Sequence, residues 1–262
     1  MKSLCRVFVI IAASLMLAHP LTITAQRANK PYTEWSEKEA TKLLNDSPWA
    51  QTHSFTDTAR SASTQATGVG ATTAIAEVIN VHFRVRFLSA KPTRQAIARF
   101  VELQQKGKLS EQMTTQLKAF AAADFPDYIV VTVVAESDKP SNMLQQANAA
   151  LYKLTTSELK NNTYLVLRDG KRLFLQEYQP PRSDGFGARF IFPRLVNGTP
   201  FVTESGGEIL FHSDLSGGSV LNSTIPNSSI PNRAGGVPPR FGFTISTRYK
   251  VKDMMFDGKL EY

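Results

Sequence analysis

The clearest pattern in the chain is an alternation of apolar and polar residues at strand spacing. Between positions 81 and 88, valine and phenylalanine occupy one side, whereas His82, Arg84 and Arg86 occupy the other. This alternation predicts a half-buried strand. The segment from Tyr128 to Ala135 is apolar on both faces, and it predicts a central strand that is buried on two sides.

Apolar residues at helical spacing predict helices before, between and after these two strands. The first helix is marked by a capping box of Ser36 and Glu39. The second follows a turn from Ser89 to Thr93 and has one apolar face, formed by Ala96, Ile97, Phe100 and Val101, and the third is capped by Ser110 and has Met113, Leu117 and Phe120 at helical spacing. The fourth follows Pro140 and continues or re-forms to about Lys160. Pro48 ends the first helix, because the residue before a proline leaves helical geometry. The order strand, helices, strand predicts a crossover unit with parallel pairing.

The C-terminal part of the chain is predicted to be rich in β-structure. The stretch TYLVLRDGKRLFLQEY predicts a hairpin in which Asp169 and Gly170 adopt the positive φ angles of a type I′ turn. A second hairpin is predicted to turn at Asn197 and Gly198, and residues 240–251 alternate as a late strand. Together the elements predict an α+β fold: a mixed sheet with an N-terminal strand-helix-strand crossover unit, then antiparallel hairpins, with helices packed on the sheet.

Two stretches of low complexity divide the chain. Residues 53–80 are rich in Ala, Thr, Ser and Gly, and residues 213–239 are rich in Gly, Ser, Asn and Pro, so both predict flexible loops. The predicted organisation is an N-terminal helical segment at 26–52, a loop at 53–80, and a single α+β domain at 81–262 that contains the second loop.

The N-terminus has the order of features that a secretory signal peptide shows. Lys2 and Arg6 precede an apolar run, which stops at His19, and small residues follow. The run is shorter than the roughly 20 apolar residues that a membrane-spanning helix needs. We therefore expect residues 1–25 to be removed, with cleavage after Ala25 or Gln26, and no transmembrane segment afterwards. The mature protein is expected in the periplasm or outside the cell.

Charge and cysteine content narrow the classes of partner. Cleavage would remove two of the 30 basic residues, which leaves a modest excess over the 22 acidic ones. Because the basic residues are scattered, we do not expect nucleic acid as a partner. We expect an envelope protein or an anionic surface instead. Cys5 is the single cysteine and lies within the predicted signal, so we expect no disulfide and no cysteine ligand or nucleophile in the mature chain.

The sequence carries no local motif for catalysis or for cofactor binding. His53, His82 and His212 have no second ligand at metal-binding spacing, and no phosphate loop, dinucleotide fingerprint or nucleophile elbow occurs. Neither a cofactor nor a metal is therefore expected. The predicted function is that of a non-catalytic binding or structural module of the cell envelope or the secreted fraction.

The alternative is a secreted or periplasmic hydrolase with a dispersed carboxylate and histidine site. A deep pocket that gathers two or more of four residues would favour it. The four residues are Glu177, Asp184, His212 and Asp253.

One segment carries a candidate anion site. Arg84 and Arg86 face away from the apolar side of their strand, and we interpret them as a solvated face. At the start of the next helix, Lys91, Thr93 and Arg94 surround backbone N–H groups of the kind that hold anions. Burial of that turn, or capping of its N–H groups by neighbouring side chains, would exclude this site.

Several segments together resemble a set of uncharacterised exported bacterial proteins. The segments are WSEKEATKLLNDSPWAQ, FRVRFLSAKPTRQAIARF, KNNTYLVLRDGKRLFLQEYQPP, GARFIFPR and KDMMFDGKLEY. The resemblance covers most of the mature chain outside the two low-complexity stretches. It implies bacterial export and one recurring domain, and it carries over no activity and no site residues.

Overall fold

Two antiparallel sheets pack face to face in this computed structural model, and helices cover part of the outer face of the first sheet. The structure describes residues 30–56, 80–216 and 242–262. The predicted signal peptide and most of both predicted loops, at 53–80 and 213–239, lie outside these ranges. The α+β class predicted from the sequence is confirmed.

Two of the described helices begin at the caps that the sequence predicts. Five α-helices lie in the described ranges: α1 (Glu37–Asn45), α2 (Lys91–Gln104), α3 (Glu111–Ala122), α4 (Asn142–Lys153) and α5 (Thr156–Leu159). The capping box of α1 is present, because Ser36 Oγ accepts from the Glu39 N–H at 3.3 Å and Glu39 Oε2 accepts from the Ser36 N–H at 2.7 Å. Ser110 likewise accepts from the N–H of Met113 and starts α3.

The first sheet is antiparallel throughout. Its strands are, in spatial order, β1 (Ala50–Thr56), β2 (Asn80–Phe87), β3 (Tyr128–Glu136), β7 (Ala188–Pro193) and β6 (Glu177–Gln179). As predicted, β2 alternates: Val81, Phe83, Val85 and Phe87 are all fully buried. They point towards the second sheet, and the polar residues between them point to the outer face.

The second sheet lies against this apolar face. Its strands are, in spatial order, β11 (Thr244–Lys250), β10 (Glu208–Asp214), β4 (Thr163–Leu167) and β5 (Arg172–Phe174). Two further short hairpins pair β8 (Leu195–Val196) with β9 (Thr199–Pro200), and β12 (Met255–Phe256) with β13 (Lys259–Leu260). The chain passes from the second sheet to the first after β5: Leu175 N donates to Thr163 O, and Gln176 N donates to Ile191 O.

Aromatic side chains fill the space between the sheets. The ring of Phe83 lies 5.4 Å from that of Phe243, and the ring of Phe190 lies 5.4 Å from that of Phe211. The Tyr249 hydroxyl donates to the carbonyl of Val85 at 3.0 Å and so links β11 to β2. Since these side chains are all buried, one core joins the two sheets.

The parallel pairing predicted for the crossover unit is wrong. Strands β2 and β3 are antiparallel neighbours, with Phe87 at the end of β2 opposite Val131 near the start of β3. The connection contains two helices, α2 and α3, which pack against each other. A pair of helices returns the chain to the end of the sheet that it left, whereas a single crossover helix takes it to the opposite end. The described strands therefore form no mixed sheet.

Two local expectations also need correction, and one is confirmed. Residues 53–56, predicted to belong to a loop, are the second half of the edge strand β1. In the hairpin of β4 and β5, Gly170 has φ +85° but Asp169 does not have a positive φ, so the turn is a three-residue loop with a left-handed glycine rather than type I′. The hairpin of β8 and β9 turns at Asn197 and Gly198, as predicted, and both residues have positive φ.

Candidate functional site

The predicted anion site at the start of α2 is occupied by the chain itself. The backbone N–H of Lys91 donates to Glu261 Oε2 at 2.8 Å, and Lys91 Nζ lies 3.5 Å from Asp257 Oδ2. The carboxylate of Glu261 therefore takes the position that an external anion would need. A negative group at this place is favourable, because the N-terminus of a helix carries partial positive charge.

The other two predicted residues of that site are buried. Arg94 donates to the carbonyls of Ser89 and Ala123 and, at 3.3 Å, to that of Leu88. Burial lowers the pKa of Arg94, and the carboxylates of Glu261 and Asp124 oppose this shift. Thr93 is fully buried as well, and its Oγ1 has no hydrogen-bond partner among the described residues, so Lys91, Thr93 and Arg94 do not form an open anion site.

Arg84 and Arg86 are not a solvated face. They lie on the floor of a cavity of about 390 Å³ between the outer face of the first sheet and helices α1 and α2. The cavity is lined by Thr41, Leu44 and Asn45 of α1, Arg84 and Arg86 of β2, Ile97, Phe100 and Val101 of α2, Thr132 and Glu136 of β3, and Asp184, Gly185 and Phe186. This arrangement needs both helices, and a strand pattern alone does not show whether helices cover its polar side.

The two arginines of β2 have different partners. Arg84 Nε lies 2.5 Å from Glu136 Oε2 and forms an ion pair in which both side chains are partly exposed. Arg86 donates instead to neutral groups, the carbonyl of Leu44 at 2.6 Å and Asn45 Oδ1 at 3.2 Å. Burial lowers the pKa of Arg86, and the nearby Glu136 opposes the shift. The guanidinium of Arg86 is thus held rigidly without a paired carboxylate among the described residues.

A polar row crosses the floor at the level of Arg86. Arg86 of β2 is directly opposite Thr132 of β3, which is directly opposite Arg189 of β7, so all three side chains share the outer face. Residues opposite each other on neighbouring antiparallel strands are about 4.5–5.5 Å apart at Cα. Thr132 is 2% exposed, and within the described ranges its hydroxyl makes no hydrogen bond.

Arg189 is anchored by the loop that follows β6. Its Nη2 lies 2.5 Å from Asp184 Oδ2, whereas its Nη1 is buried and has no partner in the described part of the chain. Burial raises the pKa of Asp184, but the hydrogen bonds from Arg189 and from the Phe186 N–H outweigh burial, and the net pKa lies below its ordinary value. Asp184 is therefore an ionised carboxylate that is paired with Arg189.

The loop at Asp184–Gly187 is fixed against both the sheet and α3. The ring of Phe186 stacks on that of Phe120 with a centroid distance of 5.3 Å. Gly187 has φ +81°, and a Cβ there would lie 2.4 Å from the carbonyl oxygen of Val133. Only glycine lets the loop approach β3 this closely, so the loop forms a defined wall of the cavity.

Apolar side chains from α2, α1 and the loop form the rest of the lining. Ile97, Phe100 and Val101 come from one face of α2, Leu44 comes from α1, and Phe186 comes from the loop. The periodicity of α2 predicts this apolar face correctly, and the face contacts both the sheet and an open volume. The cavity therefore has a polar floor and an apolar wall, the arrangement that orients a ligand with one polar end.

The residues named for the hydrolase alternative do not meet in this cavity. Asp184 lines it, but Glu177 lies in β6 and Asp253 lies in a short 3-10 turn. His212 lies on the second sheet, stacked on Tyr164 with a centroid distance of 4.8 Å. Its pKa is lowered, chiefly by burial.

In the ranges that the structure describes, no three His, Cys, Asp or Glu side chains are grouped so that they could hold a metal ion. None of the described helices is both long enough and apolar enough to cross a bilayer.

No protein-family model, curated protein or solved structure matches the chain. The resemblance to exported bacterial proteins remains an expectation from sequence.

Proposed function

We propose that this protein is a non-catalytic binding module that acts outside the cytoplasm and holds a small ligand in the cavity on the outer face of the first sheet. The observation that carries the proposal is the cavity itself, whose volume of about 390 Å³ falls within the roughly 300–1,000 Å³ typical of ligand sites. Its walls come from two helices, two strands and a fixed loop, so the binding surface is preorganised.

A binding role fits the polar groups of this cavity better than a hydrolytic one. A hydrolase needs a free base or nucleophile within reach of its substrate. Here Glu136 is paired with Arg84, and Asp184 is paired with Arg189, so both lining carboxylates are neutralised. Among the residues that the structure describes, the lining contains no histidine, serine or cysteine. These groups can hold and orient a ligand, and none of them is placed as an activated nucleophile.

The proposal can be tested by nuclear magnetic resonance with a library of small apolar and polar fragments. The full chain would be labelled with ¹³C at the methyl groups of leucine, isoleucine and valine. We expect fragment binding to shift the signals of Leu44, Ile97 and Val101, which line the cavity. Shifts confined to other methyl groups, or none across the library at millimolar concentration, would contradict a ligand site here.

Filling the cavity provides a matched control. Val101→Trp places an indole in the open volume and should abolish the fragment-induced shifts at Leu44 and Ile97. Leu195→Trp adds the same side chain at an exposed position of β8 and should leave binding unchanged. Equal binding by the two variants would show that the fragments bind elsewhere.

A further inference from the structure

We propose that the ligand of this cavity is a monocarboxylate with an apolar body, held with its carboxylate above Thr132 and its body against α2. This inference rests on the proposed function, since it names the class of molecule that the same cavity takes. It follows from the charges on the floor, from the position of an unused hydrogen-bond donor, and from the shape of the apolar wall.

The charges on the floor leave one cation unbalanced. Three guanidinium groups, those of Arg84, Arg86 and Arg189, lie on neighbouring strands of the outer face. Two carboxylates face them: Glu136 pairs with Arg84, and Asp184 pairs with Arg189. Arg86 is mostly buried and bonds only to a carbonyl and an amide oxygen among the described residues. A buried cation is normally paired, so a single negative charge from a ligand would complete the site.

One unused hydrogen-bond donor that lines the cavity lies in the middle of the polar row. The Thr132 hydroxyl is in the middle of the row and makes no hydrogen bond in the described part of the chain, with Arg86 on one side and Arg189 on the other. Arg189 is not one of the lining residues of the cavity, so of the two flanking arginines Arg86 is the one that a ligand can contact. A carboxylate has two oxygens, so one group above Thr132 can accept from the hydroxyl and from the guanidinium of Arg86 together.

The net charge favours a carboxylate over a phosphate monoester. A carboxylate carries one negative charge and matches the single unpaired Arg86. A phosphate monoester carries about −1.5 to −2 at neutral pH, and its extra charge would lie beside Glu136 and Asp184. The apolar residues of α2, Ile97, Phe100 and Val101, then accept the rest of the molecule.

The test compares ligands that share one apolar chain and differ in the head group. Octanoate, 1-octanol, octylamine and octyl phosphate would be titrated into the full chain, with binding followed by calorimetry and by the same methyl signals. We expect octanoate to bind at least about tenfold more tightly than octanol, the factor for a hydrogen bond to a charged group. Octylamine and octyl phosphate should bind more weakly than octanoate.

Two variants test where the head group lies. Thr132→Val keeps the shape and removes the hydroxyl, so it should weaken octanoate binding about tenfold and leave octanol binding unchanged. Arg86→Met should abolish the preference for octanoate over octanol. Arg248→Met is the matched control, because Arg248 is 74% exposed on the second sheet, and it should change neither affinity. If Arg86→Met fails to fold, Thr132→Val alone decides the position.

The outcomes separate the two proposals. If octanol or octylamine shifts the signals of Ile97 and Val101 as strongly as octanoate does, the cavity binds ligands but the carboxylate assignment is wrong. Tighter binding of octyl phosphate would overturn the choice of a monoanion. Octanoate binding that Thr132→Val leaves intact would overturn the position. If the fragments shift the lining methyl signals but no octyl compound does, the carboxylate inference is wrong and the proposed binding function is kept. If the fragments shift no lining methyl signal either, both the inference and the proposed function are wrong.

Discussion

The hydroxyl of Tyr249 lies in the middle of the core, where it donates to the carbonyl of Val85 and accepts from Thr247 Oγ1 at 3.2 Å. Tyr249→Phe leaves both partners without this bond in a buried place. We therefore expect the free energy of unfolding at pH 7, measured by urea titration, to fall by about 1–2 kcal/mol. Tyr152→Phe, at a position that is 59% exposed, should change it by less than about 0.5 kcal/mol.

The same hydroxyl makes stability depend on pH in the alkaline range. Burial raises the pKa of Tyr249, and likewise that of Tyr178, whose hydroxyl donates to the carbonyl of Leu151. In the unfolded chain a tyrosine ionises near pH 10, whereas the buried hydroxyl stays protonated at that pH. The contribution of these tyrosines to the free energy of unfolding is therefore fully present below about pH 10 and is lost as pH rises further. Tyr249→Phe should make that loss less steep between pH 9 and about pH 11, and an unchanged slope would contradict the assignment.

Gly187 combines a left-handed backbone with a close contact to β3. Gly187→Ala should lower the free energy of unfolding by clearly more than about 1 kcal/mol, because the new Cβ would meet Val133 O and Val134 Cγ2. Gly185→Ala is the control, since Gly185 has φ +77° but no heavy atom within 4 Å of a Cβ. The difference between the two variants, measured by thermal or urea unfolding, isolates the contact, and equal losses would contradict it.

Helix α1, a wall of the cavity, depends on its capping box. The backbone N–H and hydroxyl of Ser36 and the ammonium of Lys30 lower the pKa of Glu39 to about 2. Because this pKa lies below that of the unfolded chain, the stabilisation is present at neutral pH and is lost as pH falls through about 2. Glu39 is exposed, so solvent screening keeps its share of the total stability small.

Ser36→Ala should therefore cost about 1 kcal/mol of stability and move the pKa of Glu39 back towards its ordinary range, as followed by ¹³C carboxyl signals. Ser110→Ala removes the cap of α3 and should cost a similar amount, yet leave the pKa of Glu39 at about 2. A low pKa that persists in Ser36→Ala would show that the retained backbone N–H of residue 36 and Lys30, and not the Ser36 hydroxyl, set the pKa of Glu39.

The start of α2 depends on Glu261. Glu261→Ala removes the acceptor of the Lys91 N–H and the charge that complements the helix dipole, so we expect a loss of about 1–2 kcal/mol. The Lys91 amide should also exchange its hydrogen with solvent faster, as mass spectrometry or NMR would show. Asp257→Ala breaks only an ion pair at 3.5 Å with two partly exposed partners, and it should cost less than about 1 kcal/mol.

At the level of elements, local signals predict most of the fold. Caps such as Ser36 and Ser110, the alternation of β2 and the turn at Asn197 and Gly198 all depend on a few neighbouring residues, and the structure has them as predicted. Strand β1 is absent from the prediction, because an edge strand with one packed neighbour has few apolar residues. The predicted direction of β3 is wrong, since it depends on whether α2 and α3 pack together as a pair.

The whole molecule has one core, so its parts should unfold together. Trp35 and Trp49, the only tryptophans of the chain, are both buried in the N-terminal segment, and Trp49 Nε1 donates to the carbonyl of Glu261 at 2.9 Å. We expect the urea transition seen by tryptophan fluorescence to coincide with the one seen by far-ultraviolet circular dichroism. An earlier fluorescence transition would mean that the N-terminal segment unfolds separately.

The cavity can be predicted only in part from the sequence. Arg84 and Arg86 stand out in a single strand, but their surroundings depend on partners far away in the chain. No local pattern identifies these partners, because Asn45 comes from α1, Thr132 from β3, and Arg189 from β7. The start of α2 does hold a negative group, but that group is the carboxylate of Glu261 and not an external anion. No local pattern in the sequence shows that Glu261 reaches the start of this helix.

The order in which the chain visits the two sheets bears on folding during synthesis. The chain builds β1 to β3 in the first sheet, β4 and β5 in the second, β6 and β7 in the first, and β10 and β11 in the second. A nascent chain therefore exposes the apolar face of β2 until Phe243 and Tyr249 have left the ribosome. We therefore expect the core to be completed only near the end of synthesis, and the incomplete chain to be more prone to aggregation than the finished one.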